Sequence, residues 1–162
     1  MTYLTVTGRP LDLSRLTAEE RRFLSAVKKK YAANPDWTEF SAWWNREFDR
    51  AGLKSFTPIY WVCQDLESRL GIAQGHVAEP DYRDYLAALI REQFGSRNQF
   101  CLKTGMDPGH LSRVLDGRAD VSIKNLENLL RILGATLVVR PLEEVRAEIY
   151  PEVARKALAK VG

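Results

Sequence analysis

Apolar residues recur along this chain mainly at i, i+3, i+4 spacing, and caps, glycines and prolines cut the pattern into short segments. Residues 3–7 (Tyr-Leu-Thr-Val-Thr) alternate instead and predict a short edge strand ended by Gly8-Arg9-Pro10. Thr17-Ala18-Glu19-Glu20 spells a capping box, in which hydroxyl and carboxylate each accept from an orphan amide of the other's residue. The helix behind it runs to about Tyr31, with Phe23, Val27 and Tyr31 inward, until Asn34-Pro35 breaks it. Asp36-Trp37-Thr38-Glu39 opens a second helix, whose stripe is Trp37, Phe40, Trp44 and Phe48, with Trp43 at its edge and an end near Gly52. Thr57-Pro58 opens a third, carrying Ile59, Val62, Cys63, Leu66 and Leu70 before Gly71. Trp61 points roughly 160–200° away from that stripe at ~100° per residue. It is therefore either a contact with another helix or an exposed anchor for a partner.

Residues 72–80 have no period and contain a glycine and a proline, so they predict a linker between an N-terminal helical region, 1–79, and a second domain, 80–162. Asp81 caps a helix with Tyr82, Tyr85, Leu86, Leu89 and Ile90 on its apolar face, closing at Gly95. Three short helical patterns follow. Ser96 caps the first, which carries Phe100 and Cys101 inward and stops at Gly105. Asp107-Pro108 starts the second, with Leu111, Val114 and Leu115 inward and Gly117 as its stop. The third begins near Ser122, turns Ile123, Leu126, Leu129, Leu130 and Leu133 inward, and stops at Gly134. The β-branched run Thr136–Arg140 predicts a strand, and Pro141 leads into a last helix from Leu142 to about Lys160, kinked or split at Pro151.

Two short helices joined by a tight glycine-containing turn, the second opening on a cap, form a helix-turn-helix pattern. Here the chain resembles the Cro/cI-like (XRE-type) repressor family. The matching residues are Ser96-Arg97, Phe100-Cys101, Gly105-Met106, Leu111-Ser112-Arg113, Asp116-Gly117 and the helix from Leu126 to Gly134, within a stretch of about residues 82–140. The expected fold is mainly α: a helical N-terminal region plus a lambda-repressor-like helix-turn-helix domain with a short C-terminal strand and helix. The resemblance implies a sequence-specific, repressor-like transcriptional regulator that binds double-stranded DNA as a homodimer. The chain departs from the family's pattern in three places. Pro108 and Gly109 stand where amide side chains are common, Asp116 where an asparagine often donates to phosphate, and Arg97 where a glutamine is frequent.

In this family the outward face of the second motif helix enters the major groove. Arg113 is then the best base reader, because its fork matches guanine O6 and N7. Ser112 and His110 offer polar contacts, and Gly109, beside Pro108 in the first turn, permits a close backbone approach. Arg97, Arg118 and Lys124 are candidate phosphate contacts flanking the helix N-termini at Ser96 and Asp107. The bland alternative is an Arg113–Asp116 pair at i, i+3 on a solvated face. A second functional class is open as well: an antitoxin that binds its toxin through the aromatic N-terminal region, with Trp43 and Trp61 as candidate contacts, and represses its own gene. A third is a helix-turn-helix used only for protein contact.

Bulk properties narrow this only modestly. A net charge of +3 and a pI near 8.9 permit nucleic-acid binding without demanding it. Through Pro80 there are 11 basic and 10 acidic residues, and after it 13 and 11, so any DNA affinity must come from placement of charge. Arg21, Arg22 and Lys28-Lys29-Lys30 on the first helix form either a solvated face or an auxiliary phosphate-contacting patch. Cys63 and Cys101 sit in apolar stripes, which reads as buried thiols in a reducing compartment. The two histidines, His76 and His110, join no ligand-spaced cluster, so neither metal nor cofactor is expected. No phosphate loop, nucleophile elbow, CxxC or HxxxH is present, and no enzyme is expected. An N-terminal apolar segment and a run of ~20 apolar residues are both missing, so the expectation is a cytoplasmic protein without a membrane span.

Overall fold

Eight helices and one two-stranded hairpin make up residues 1–149, the residues described by the computed structural model. The chain is mainly α. Contacts divide it into two units, residues 1–79 together with 141–149, and residues 80–140.

In the first unit, β1 (Thr2–Leu4) pairs antiparallel with β2 (Pro10–Asp12), Thr2 opposite Asp12 and Leu4 opposite Pro10. The lone edge strand expected over 3–7 is thus a hairpin. Gly8, at φ +75°, supplies the left-handed turn, and Pro10 is tolerated as the first residue of its strand. Helices α1 (Ala18–Ala32), α2 (Trp37–Arg50) and α3 (Pro58–Gln74) follow. The Thr17–Glu20 capping box is present, and Asp36 accepts from the Glu39 amide at 3.2 Å. Val27, Phe40, Trp44, Ile59, Val62 and Cys63 are fully buried where the three helices meet.

One charged side chain among the described residues is buried in this unit, Asp65. It accepts from the Tyr3 hydroxyl at 2.5 Å, the Val6 amide at 2.6 Å and Arg69 Nε at 2.7 Å. Arg69 Nη2 also donates to the Leu4 carbonyl at 3.1 Å. A carboxylate can be held away from water when its lone pairs are filled in this way, and here it fastens the hairpin to α3.

Gly71, expected to stop α3, lies inside it. A Cβ at Gly71 would stand 2.5 Å from Val77 Cγ2 and 3.0 Å from Trp37 Nε1, so the glycine makes room for the chain that folds back over the helix. The stop is Gly75, in the left-handed region at φ +80°. His76 then stacks on Trp37, with ring centroids 5.2 Å apart and planes 18° from parallel. The last described helix, α8 (Leu142–Ile149), belongs to this unit, where Arg146 pairs with Glu79 at 2.8 Å. Its expected continuation to Lys160 and the kink at Pro151 lie outside the described residues.

The second unit contains α4 (Tyr82–Phe94), α5 (Arg97–Thr104), α6 (Pro108–Leu115) and α7 (Ile123–Ile132). Leu86, Ile90, Phe100, Leu111 and Val114 are fully buried, and Phe94 meets Phe100 edge-on at 5.0 Å. Two expectations are overturned here. Ile123 does not face the core but is 68% exposed, because it occupies the first turn of α7 beside the Ser122 cap. Thr136–Arg140 is not a strand within the described residues, whose sheet consists of β1 and β2 alone. Its β-branched residues favour extended backbone, but a strand needs a ladder partner, and Val139 stands 93% exposed.

Both cysteines are free and buried. Burial, assisted by Glu67, pushes the Cys63 thiol up to about 12, and burial with Asp107 raises Cys101 as well. Neither thiolate forms readily in the folded chain. Thiol titration at mildly alkaline pH should therefore be slow in buffer and rapid in denaturant; two fast thiols in the native protein would contradict this packing. Among the described residues no helix is long and apolar enough to cross a membrane.

Candidate nucleic-acid interface

The candidate face is built by α5, the turn 105–107 and α6. The Ser96 hydroxyl accepts from the Gln99 amide at 3.1 Å and starts α5. Gly105, at φ +73°, ends it, and its amide donates to the Cys101 carbonyl at 2.9 Å. Only Met106 and Asp107 then separate this glycine from α6. Asp107 caps α6, its carboxylate accepting from the His110 amide at 2.7 Å, with Pro108 in the first turn where a missing N–H costs nothing. Gly117, at φ +74°, closes α6, and the Arg118 amide returns to the Arg113 carbonyl at 2.8 Å.

With Leu111 and Val114 buried, Pro108, Gly109, His110, Arg113 and Asp116 are exposed and Ser112 is half-buried. Arg113 lies back over Gly109: a Cβ there would be 3.6 Å from its Nη1. Arg113 has no ion-pair partner among the described residues, so the expected alternative of an Arg113–Asp116 pair is not realised. Asp116 instead sits between two other cations, 3.0 Å from Arg118 Nη2 and 3.3 Å from Arg97 Nη1. Hydrogen bonds from Arg118 and then Arg97 hold its carboxyl below the usual aspartate range. The structure thus gathers Arg97, Asp116 and Arg118 into one exposed cluster at the end of α6. Exposed pairs of this kind are weak and exchange readily with solvent and other ions. Lys124, in the first turn of α7, is exposed and unpaired among the described residues.

No protein-family model matches the chain, and no curated protein or solved structure matches it.

Two features of this unit are not legible from spacing. Arg83, on α4, pairs with Asp81 at 3.2 Å and reaches Asp120 at 3.7 Å, and its Nη1 lies 3.4 Å from where a Gly117 Cβ would stand. It therefore braces the loop that carries Arg118. His110 also edges a cleft of ≈290 Å³ between α6 and α7, floored by Leu111, Val114 and Leu129, with Asn125 and Asn128 on α7. The reach from Arg83 to Asp120 and the cleft leave no local signature, because the residues involved lie far apart in sequence. No group of three or more His, Cys, Asp or Glu side chains is placed to hold a metal among the described residues.

The two tryptophans singled out as partner contacts lie in the first unit, in different surroundings. Trp43 is half-buried beside Phe40, 6.3 Å between ring centroids. Trp61 is half-buried against Phe56 and Tyr60, with the Arg9 guanidinium 5.6 Å above its ring. On the outer face of α1, Arg21 donates to the Leu16 carbonyl at 2.7 Å and Lys30 pairs with Glu39 at 2.8 Å, so part of that basic run serves the fold.

Proposed function

We propose that the chain is a sequence-specific, repressor-like transcriptional regulator that reads double-stranded DNA through a lambda-repressor-like helix-turn-helix formed by α5 and α6. The observation that carries this reading is the solvent face of α6. A short helix with its other side buried presents Arg113 without a carboxylate partner, over a glycine that leaves the backbone open, and Arg97, Arg118 and Lys124 flank it. Arg113 reads a base edge, and the flanking cations set register on the phosphates.

The test starts from duplexes selected out of a random pool by the full chain. Arg113→Ala should cost about 1–3 kcal/mol on the best selected duplex and relax preference at one base pair. Arg97→Ala should weaken selected and random duplexes alike and lower the salt slope by about one. Asp116→Asn frees Arg97 and Arg118 and should tighten binding to most sequences. If no duplex is enriched, or if all three variants bind as the parent does, the reading fails.

A homodimer is part of this proposal. Leu137, Val138 and Val139 are exposed after α7 among the described residues, and a second copy is the simplest cover for them. Sedimentation at tens of micromolar should show a dimer, and a lysine at Val139 should shift it towards monomer.

A second reading, a protein-binding role such as an antitoxin, draws support from the exposed ring of Phe56 beside Trp61.

A further inference from the structure

Between α2 and α3 the chain holds Phe56 in a conformation that a bulky side chain rarely adopts, φ +63°, with its ring 77% exposed. Backbone strain and an exposed large apolar ring are each unfavourable, and burial of Phe56 within its own fold compensates for neither. The loop around it is fixed: the Leu53 amide reaches back to the Phe48 carbonyl at 3.3 Å, and the Thr57 hydroxyl donates to the Lys54 carbonyl at 2.8 Å. Phe56 is thereby set against two rings of α3, 5.7 Å from Tyr60 and 5.9 Å from Trp61, which are themselves 5.3 Å apart. The ring planes stand 48°, 57° and 77° from one another and form a cup.

Charge says what the cup fits. Arg9 lies over Trp61, and Lys54 is exposed two residues before Phe56. Neither has a carboxylate partner among the described residues. Asp65, one turn beyond Trp61 on α3, is buried and saturated by Tyr3, Val6 and Arg69. The surface is therefore aromatic and cationic without local neutralisation.

We propose that this cup is a docking site for an acidic protein segment bearing one compact apolar side chain, the apolar group seated among Phe56, Tyr60 and Trp61 and the carboxylates facing Arg9 and Lys54. Single-stranded nucleic acid fits less well. Base stacking needs an open, flat ring face, whereas these rings are mutually tilted and Arg9 already covers Trp61. The proposal goes beyond the DNA-binding reading and does not depend on it.

The full chain is titrated against fluorescently labelled short peptides rich in Asp and Glu with a central leucine or phenylalanine. Binding is expected at a Kd of about 1–100 µM, weakening as salt rises. A central serine should weaken it about tenfold or more, and Arg9→Gln severalfold. Phe56→Gly is the deciding variant, because it should weaken the peptide at least about tenfold while raising Tm by a few degrees, glycine taking φ +63° without strain. The proposal is overturned if acidic peptides bind equally with leucine or serine at the centre, or if Phe56→Gly leaves affinity unchanged. A fall in Tm on Phe56→Gly would overturn it too, by making Phe56 a packing residue. So would displacement of the peptide by a random single-stranded oligonucleotide at a lower concentration than an unlabelled acidic peptide requires.

Discussion

Asp65→Ala is expected to destabilise the first unit by about 3–5 kcal/mol, since it removes the buried carboxylate that Arg69, the Val6 amide and the Tyr3 hydroxyl share. All four tryptophans fall in residues 1–79, so urea unfolding followed by indole emission reports this unit alone. A loss below about 1 kcal/mol would show that the network contributes little. Replacing Asp65, Arg69 and Tyr3 together with apolar residues of similar volume should recover part of the loss, because the guanidinium and the hydroxyl are then removed along with the carboxylate they served. The same network makes a pH prediction. Burial, and after it Asp65, raises the Tyr3 hydroxyl well above the ordinary tyrosine range. Above about pH 10 the unfolded chain releases this proton while the folded chain keeps it. Stability from this group is therefore complete below pH 10 and declines as pH climbs further. Tyr3→Phe should flatten that alkaline slope.

Phe100→Ala is expected to cost the second unit about 3–5 kcal/mol. Phe100 is fully buried and meets Phe94 edge-on. A unit of roughly sixty residues has a total stability of the same order. The variant should thus lose helical circular dichroism and, on the proposed function, duplex binding together, whereas Arg113→Ala should weaken binding with helicity intact. Retained duplex binding by a chain whose second unit has melted would remove α6 from the interface.

Helix starts were the most legible part of this chain because their chemistry is local. Thr17, Asp36, Asp81, Ser96, Asp107 and Ser122 all accept from an amide two or three residues on, and a sequence displays that spacing directly. What depended on distant partners was harder to read. Gly71 has the local signature of a stop, but its missing side chain serves Val77 and Trp37. Thr136–Arg140 has strand composition and, among the described residues, no strand to pair with. The β2 strand was hidden by the proline that begins it. On the candidate face, the outward set around Arg113 followed from the apolar stripe of α6. The tie from Asp116 to Arg97 spans 19 positions and two helices, and no periodicity announces it.

The seat that Gly71 provides has an optical consequence. Trp37 is the one tryptophan, among the described residues, that carries an imidazole face to face. An imidazole stacked in that position quenches indole emission by accepting charge from the excited ring. Removing that ring in His76→Gln should therefore brighten Trp37 while the other three indoles keep their emission. A bulkier residue at position 71, by unseating Val77, should brighten Trp37 in the same way with His76 still in place. The chain thus contains its own emission reporter for whether residues 75–79 are docked on α3.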